Sequence, residues 1–405
     1  MTARRVVVTG LGVICALGHN LAEVWCALRA GRSGIGPIRS LDVSNLRFQN
    51  GAEVREYDTG KHFGSGADLL DRFAQFALIS AREAVADSGV TLTPELREKT
   101  AVVSGSCVGG QSTQDAGFVE LYRQERGRVH PLTIPRTMAN AGASHISVEF
   151  GTTGPAFTIS TACSSANHAI GQAFRMVRSG EVDLAIAGGS EAPFSMGLLK
   201  AWEAIRVIAP DTCRPFSRDR RGMILGEGGA MLVLEPLERA EARGARIYGE
   251  IVGLGMSSDA GHITQPSVEG PARAMRAALR DAQLHPEQVG YINAHGTGTP
   301  GNDPTETRAI REVFGAHADR LAVSSTKSMH GHALGAAGAL EAVATVMALH
   351  QGLLPPTANF IGPDPECDLD IITHRARAAQ VECALSNSFA FGGLNAVLAL
   401  RTHLR

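Results

Sequence analysis

Two distant stretches of this chain carry the same succession of signals, and that echo limits the fold more than any single motif. The first runs from a polar turn at Cys163 and the helical pattern behind it, through Leu184-Ala185-Ile186-Ala187-Gly188-Gly189, to Gly228-Gly229-Ala230-Met231-Leu232-Val233-Leu234. The second runs from a turn at Lys327 to His332 and its helix, through Ala384-Leu385-Ser386-Asn387-Ser388-Phe389, to Asn395-Ala396-Val397-Leu398-Ala399-Leu400. Each ends in a glycine-rich hairpin. Apolar strands alternate with amphipathic helices, as in Asp68 to Asp87, where Leu69, Phe73, Phe76, Ala77 and Ala84 point inward, Gly89 stops the helix and a strand follows from Ala101 to Val103. Such alternation predicts a layered α/β fold, and the echo predicts two duplicated halves. The boundary is expected near Ala245, after the charged helix Leu237 to Arg243 and before the strand from Ile247, dividing the chain into 1–246 and 247–405. At 405 residues and 44% hydrophobic, the chain has the material for a large core.

Several function classes can be set aside. A net charge of −2 gives no whole-molecule attraction to nucleic acid or to an anionic membrane. No apolar run approaches the roughly 18 residues that span a bilayer. The cysteines (Cys15, Cys26, Cys107, Cys163, Cys213, Cys367, Cys383) are odd in number and lack C-x-x-C spacing, which argues for a reducing cytoplasm and against zinc or disulfide scaffolding. Arg4-Arg5 and the apolar residues behind them do not make a signal peptide. Thr9, Gly10 and Gly12 interrupt the run, no small-x-small cleavage site follows, and Asn20 to Trp25 begins a helix with an N-cap. Gly10-Leu11-Gly12 invites a dinucleotide-binding reading, but Cys15 occupies the third glycine's position and the expected acidic residue about twenty positions on is missing.

Chemistry concentrates at strand ends. The strand Phe157-Thr158-Ile159-Ser160-Thr161 breaks through Ala162-Cys163-Ser164-Ser165 into a helix whose apolar face is Ala166, Ile170, Ala173, Phe174 and Val177. That pattern puts the Cys163 thiol on the first helical turn, where unpaired N–H groups and the helix dipole would lower its pKa from roughly 8.5 toward neutrality. A small buried hydrophobe is the competing reading of the same residue. Downstream, Val289 to Ala294 leads into His295-Gly296-Thr297-Gly298-Thr299-Pro300, and Leu321 to Thr326 leads into Lys327-Ser328-Met329-His330-Gly331-His332. In open α/β sheets the carboxyl ends of strands are where ligands bind, so Cys163, His295 and His332 can converge although far apart in sequence. Three such ends are hard to read as packing alone.

The segments T-A-C-S-S, N-A-H-G-T-G-T, S-S-T-K-S-M-H-G-H-A-L-G-A-A-G and S-N-S-F-A-F-G-G-L-N resemble those of the elongating β-ketoacyl-acyl carrier protein synthases of the thiolase superfamily, closest to the synthase II branch. The likeness runs nearly end to end. The set reads Cys-His-His, where the thiolase branch has Cys-His-Cys and the initiating synthases Cys-His-Asn. The resemblance implies a thiolase-like five-layer α-β-α-β-α fold, with helices outside and between two mixed sheets. It implies decarboxylative Claisen condensation of an acyl group held on Cys163 with malonyl-acyl carrier protein, giving 3-oxoacyl-acyl carrier protein. The backbone N–H groups of Cys163 and of Phe391 would form an oxyanion hole, in a loop that Gly392 and Gly393 let approach the substrate. His295 and His332 would polarise the malonyl thioester carbonyl. Lys327 would hold the field of the site, paired with Glu306, or the two form a structural ion pair only. Thr297 and Thr299 match positions that hydrogen-bond the pantetheine arm. No metal or resident cofactor is implied, the substrates riding on the phosphopantetheine of acyl carrier protein.

Specificity is less legible. Val108 matches the gate of the acyl tunnel, Phe389 lies in the substrate loop, Thr133 stands where an aromatic is common, and Leu198 and Trp202 are bulkier than usual. Larger side chains shorten a tunnel while Thr133 frees volume, so chain length does not follow. Arg206, or the cluster Arg123, Arg126 and Arg128, is expected to meet an acidic carrier, with an ordinary solvated face as the alternative. A homodimer is expected through the stretch Met138 to Phe150, a heterodimer with a chain-length-factor homologue being the variant. Fatty acid elongation in the cytoplasm is the first expectation, and a specialised polyketide, polyene or signal-lipid ketosynthase the second. A non-catalytic partner subunit would lack Cys163, and a thioesterase would have no use for two histidines and Lys327.

Overall fold

The first strand, β1 (Val6–Cys15), is buried along its whole length, as a strand covered on both faces must be. It belongs to a sheet that continues in β2 (Thr100–Gly105), β3 (Ala156–Ile159), β4 (Leu184–Glu191), β5 (Gly228–Pro236), β6 (Gly249–Ser258), β7 (Val289–Asn293), β8 (Ala322–Ser324), β9 (Asp370–Ile371), β10 (Cys383–Ala390) and β11 (Leu394–Arg401). The computed structural model describes residues 3–403. Strand order is β9-β8-β7-β10-β11-β6-β1-β5-β4-β2-β3. Apart from the short edge strand β9, the order is the same on both sides: β3-β2-β4-β5-β1 in one half and β8-β7-β10-β11-β6 in the other, each 3-2-4-5-1 when counted along its own half. β4 and β5 pair antiparallel as β10 and β11 do, but only β10–β11 is the glycine-rich hairpin expected of each half, because residues 192–227, with the helix Met196–Ile205, separate β4 from β5.

The two mixed sheets expected from the sequence are joined. β1 and β6 are the outermost strands of their half-sheets, and they pair antiparallel over Val6↔Ile251, Val7↔Glu250 and Val8↔Gly249. Pairing removes two exposed edges. So short a splice still lets the half-sheets face a common central layer. That layer is α2 (Ser165–Ser179) and α5 (Ala337–Gln351), while α1 (Arg72–Ser88) covers the outside of the first half and α3 (Glu269–Ala282) and α4 (Asn302–Phe314) the outside of the second. Five layers result. The central core gathers Ile170, Phe174 and Val177 of α2 with Leu340 and Val343 of α5, and separate outer cores lie under α1 and under α3 and α4.

Local chemistry sets the ends. Asp71 caps α1 by accepting from the Phe73 N–H at 3.1 Å, and Gly89 ends it in the left-handed region at φ +62°. Phe73, Phe76, Ala77 and Ala84 are buried as predicted. Leu69 is not: it precedes the cap and is 49% exposed. The start of α2 presses on β2 so closely that a Cβ on Gly105 would lie 2.5 Å from the Ala166 nitrogen. Asn167, one turn on, donates to the carbonyls of Ser386 at 3.0 Å and Ala396 at 3.3 Å, tying the first half's central helix to the second half's hairpin.

Candidate active site

The turn carrying Cys163 is held by its own backbone. Ala162 takes φ +50°, unusual for a residue with a Cβ, and the Ser165 hydroxyl accepts from the Thr161 N–H at 2.9 Å while donating to the Ala162 carbonyl at 2.6 Å. Helix α2 begins at Ser165 with Ser164 as its cap, so Cys163 stands just outside the first turn on which the sequence placed it. The thiol also departs from expectation in its acidity. Burial pushes it up to about 11, against the nearby Lys327 charge and hydrogen bonds from the backbone of Phe391 and of Cys163 itself, which pull the other way. Desolvation wins because the residue is only 8% exposed. At neutral pH the resting group is the thiol.

Across the central layer, β7 and β8 deliver the other groups. Lys327 and Glu341, both fully buried, form an ion pair, and Lys327 Nζ lies 3.3 Å from His295 Nδ1. An ammonium can only donate, so the neutral imidazole of His295 accepts at Nδ1 and carries its proton on Nε2. Burial and the Lys327 charge hold both His295 and His332 well below the usual histidine range. The two rings meet edge to face, 5.5 Å between centroids at 84°. His332 is fixed through its backbone, donating to the Ile224 carbonyl at 2.7 Å, and among the described residues neither of its buried ring nitrogens has a partner. His330 is different. Its ring nitrogens lie 2.8 Å from the Gly331 carbonyl and 3.0 Å from the Thr326 hydroxyl, which makes it part of the turn's own scaffold.

These side chains open on one cleft of about 280 Å³, lined by Cys163, His295, His332, Thr297, Thr299, Phe389 and Phe391, with Arg206 and Trp202 on its wall. A buried thiol touched by two backbone groups faces two neutral imidazoles, one with its tautomer fixed and one with unpartnered nitrogens. Residues 3–240 match the family described as Beta-ketoacyl synthase, N-terminal domain, and residues 248–361 the one described as Beta-ketoacyl synthase, C-terminal domain. The chain belongs to the β-ketoacyl synthase family.

Among its relatives, Nodulation protein E of Rhizobium sp. (strain N33) is 48% identical over 98% of this chain and 99% of the relative. A 3-oxoacyl-[acyl-carrier-protein] synthase 2 of Synechocystis sp. is 44% identical over 99% of this chain and 98% of its own. The solved structure of the ishigamide ketosynthase/chain length factor matches with a TM-score of 0.95 at 38% identity, each chain covered in full. As a member of the family this β-ketoacyl synthase is an acyltransferase that condenses carrier-bound acyl groups to 3-oxoacyl products.

Within the synthase, most residues singled out in the sequence converge, and some do not. Lys327 does not pair with Glu306. Its counter-ion is Glu341, and Glu306 instead accepts from the backbone N–H groups of His295 and Gly296 at 2.9 and 2.8 Å, and from Asn387 at 3.1 Å. Glu306 therefore shapes the His295 turn. The Thr297 and Thr299 hydroxyls are 2.8 Å apart in the cleft. Gly392 and Gly393 take φ +84° and +69°, which only glycine adopts freely, and the Gly392 N–H donates to the Ile263 carbonyl at 2.7 Å. Val108, Leu198 and Thr133 do not line this cleft. Val108 packs in an apolar cluster beside it, Leu198 is half-buried while its neighbour Leu199 takes the core position, and the Thr133 hydroxyl donates to the His130 carbonyl at 2.7 Å in a surface segment. Arg123, Arg126 and Arg128 are exposed, and Arg126 pairs with Glu120 at 3.4 Å.

Two residues escaped the sequence reading. Glu341 announced itself only as a lone acid in the apolar helix Ala337–Gln351. Glu191, fully buried at the end of β4, accepts from the Ser106 hydroxyl at 2.9 Å and from the N–H groups of Cys107, Val108 and Gly335 at 2.7, 3.2 and 3.0 Å. It joins the turn after β2 to the turn before α5.

Proposed function

We propose that the site works as follows, in elongation of an acyl chain on acyl carrier protein. Cys163 Sγ attacks the acyl thioester; the Sγ–C bond forms, the carrier's C–S bond breaks, and the thiol proton ends on the carrier's sulfur. The N–H groups of Cys163 and Phe391 take the carbonyl oxygen as it gains charge. For malonyl-carrier protein, the His295 Nε2–H and a ring N–H of His332 bond the thioester oxygen, so that loss of carbon dioxide leaves an enolate. The enolate carbon attacks the acyl group, the C–C bond forms, the Sγ–C bond breaks, and the Cys163 thiolate regains a proton from solvent. Thr297, Thr299 and Phe389 would position the pantetheine arm, and Arg206 at the cleft wall would meet the acidic carrier in preference to the Arg123 to Arg128 cluster. Glu306, Gly392 and Gly393 would keep the surrounding turns in place.

The observation that carries this reading is the Glu341–Lys327–His295 relay, which keeps His295 a neutral donor facing the thiol. Trapping the acyl-enzyme and mapping the label by mass tests it. Label on Cys163 is expected, and label on Cys107 or Cys213 would overturn it.

A specialised lipid or polyketide pathway is a second reading, supported by the likeness to Nodulation protein E and to a ketosynthase solved with a chain length factor. The division of the chain at 246/247 fits the repeat of strand order. Association with a like subunit, itself or a homologue, would cover Tyr122, Ile134 and Val148, which are 73%, 70% and 80% exposed. Cytoplasmic residence is proposed from the seven free thiols. Among the described residues no helix is long and apolar enough to cross a membrane.

A further inference from the structure

Trp202 lies in the helix Met196–Ile205, and its indole stacks on the Phe391 ring, with 6.0 Å between centroids and 26° between planes. Both rings line the cleft that holds Cys163, and the Phe391 backbone bonds the thiol, so the indole stands beside the first stretch of any chain attached to Sγ. Trp202, with Val108 and Val207, packs against an apolar cluster that includes Met223 and Leu334. The indole Nε1, a donor only, is buried with no acceptor among the described residues. A phenyl ring would keep the stack without burying such a donor, and an all-methylene chain threaded past it would leave the N–H unpaired in apolar surroundings, which is unfavourable. An acyl chain with an oxygen at that level removes the penalty.

Resting on the reading of Cys163 as the acyl carrier, we propose that Trp202 is a specificity-determining donor, selecting acyl groups that carry a carbonyl or hydroxyl oxygen in the segment passing the Trp202–Phe391 stack over saturated chains of equal length. The difference between a paired and an unpaired buried N–H gives a preference of roughly fivefold to tenfold.

The experiment uses the full chain and its Trp202→Phe variant. Each is presented in competition with matched saturated and oxo- or hydroxy-substituted acyl-carrier proteins differing in oxygen position, and the acyl groups on Cys163 are counted by intact mass. The wild type is expected to favour one oxygenated isomer and Trp202→Phe to lose that preference. A ratio unchanged by the substitution, preference for the saturated chain, or preference for a conjugated hydrocarbon chain over the oxygenated one would each overturn the proposal. Acylation that proceeds without any later carbon dioxide release from malonyl-carrier protein would refute the condensation scheme instead, leaving the acylation ratio to decide this one.

Discussion

The turn after β3 and the turn after β8 occupy the same place in the two halves, each the third strand of its own sheet leading into a central helix, and they have been put to opposite uses. The first presents one reactive atom and little else: the charges that act on Cys163 are those of Lys327 and Glu341 from the other half, and its neighbours Thr161 to Ser165 bond one another and, through the Thr161 hydroxyl and the Ser164 carbonyl, the His168 ring. The second is a buried charge network, with Lys327 and Glu341 fully enclosed, His295 drawn in from β7, and His332 left with unpartnered nitrogens. The nucleophile is thereby kept chemically plain, and the electrostatic work of the site is done from across the interface of the halves.

The strongest way to break this contrast is to remove the single reactive atom. Cys163→Ala is expected to cut acyl transfer and condensation on the order of 10⁴-fold or more with the fold intact by circular dichroism. Cys163→Gln should also stop condensation yet keep releasing carbon dioxide from malonyl-carrier protein, because the second half's apparatus is untouched; loss of both would mean that the two turns are not separable. Next in size, His295→Ala and His332→Ala should each lower decarboxylation by about 10²- to 10⁴-fold while single-turnover acylation of Cys163 falls far less. Equal losses in both steps would place the histidines with the thiol.

The coupling between the turns is sharpened by Lys327→Met together with Glu341→Gln, which removes the charge without stranding its partner. The Cys163 thiol, already held up to about 11 by burial, loses the one cation that opposes that shift, so alkylation by iodoacetamide at pH 8 should slow about tenfold, wild-type alkylation itself climbing with pH to about 11. An unchanged rate would show the halves to be electrostatically independent. A smaller effect is expected outside the chemistry: Arg206→Glu should raise KM for carrier-bound substrate severalfold, more at low salt, with small thioesters handled as before. Equal effects on both would take Arg206 out of docking.

The smallest prediction concerns His330, whose pKa burial lowers to about 3. In the unfolded chain it titrates near 6.5, so as pH falls below that value the unfolded state gains a proton that the folded state refuses. The stability contributed by the neutral ring must then shrink with acid. Between pH 6.5 and 5.5 the wild type should lose about 1 kcal/mol relative to His330→Gln in urea titrations. A constant gap would show that the second turn accepts a further charge.

What could be read from the sequence was whatever is local. The strand, turn and helix around Cys163 are written in contiguous residues, as are the glycines that give the Phe391 loop its positive φ angles, and the echo between the halves survives as repeated strand order. Long-range pairing was less visible. Glu306 and Glu341 are both acids within reach of Lys327 along the chain, and only packing of α5 against the β8 turn selects the second. Acidity of the thiol depends on enclosure by Phe391 and the opposite half, which no motif around Cys163 records. Positions such as Leu198 and Leu199 differ by one helical step, and a resemblance in sequence does not say which of them turns inward.

The three-pair splice between β1 and β6 has a consequence for how the molecule is made. β1 leaves the ribosome before the strands it pairs with, which are Gly228–Pro236 on one side and Gly249–Ile251 on the other. Until Gly228–Pro236 has been synthesised, more than two hundred residues later, an apolar strand buried along its whole length in the finished enzyme lacks its partners. Contacts this distant make folding slow and leave the nascent chain open to self-association. Truncated or stalled products ending before Gly228 should accordingly be the aggregation-prone species, so that a strand with no part in the chemistry decides how well this enzyme is expressed.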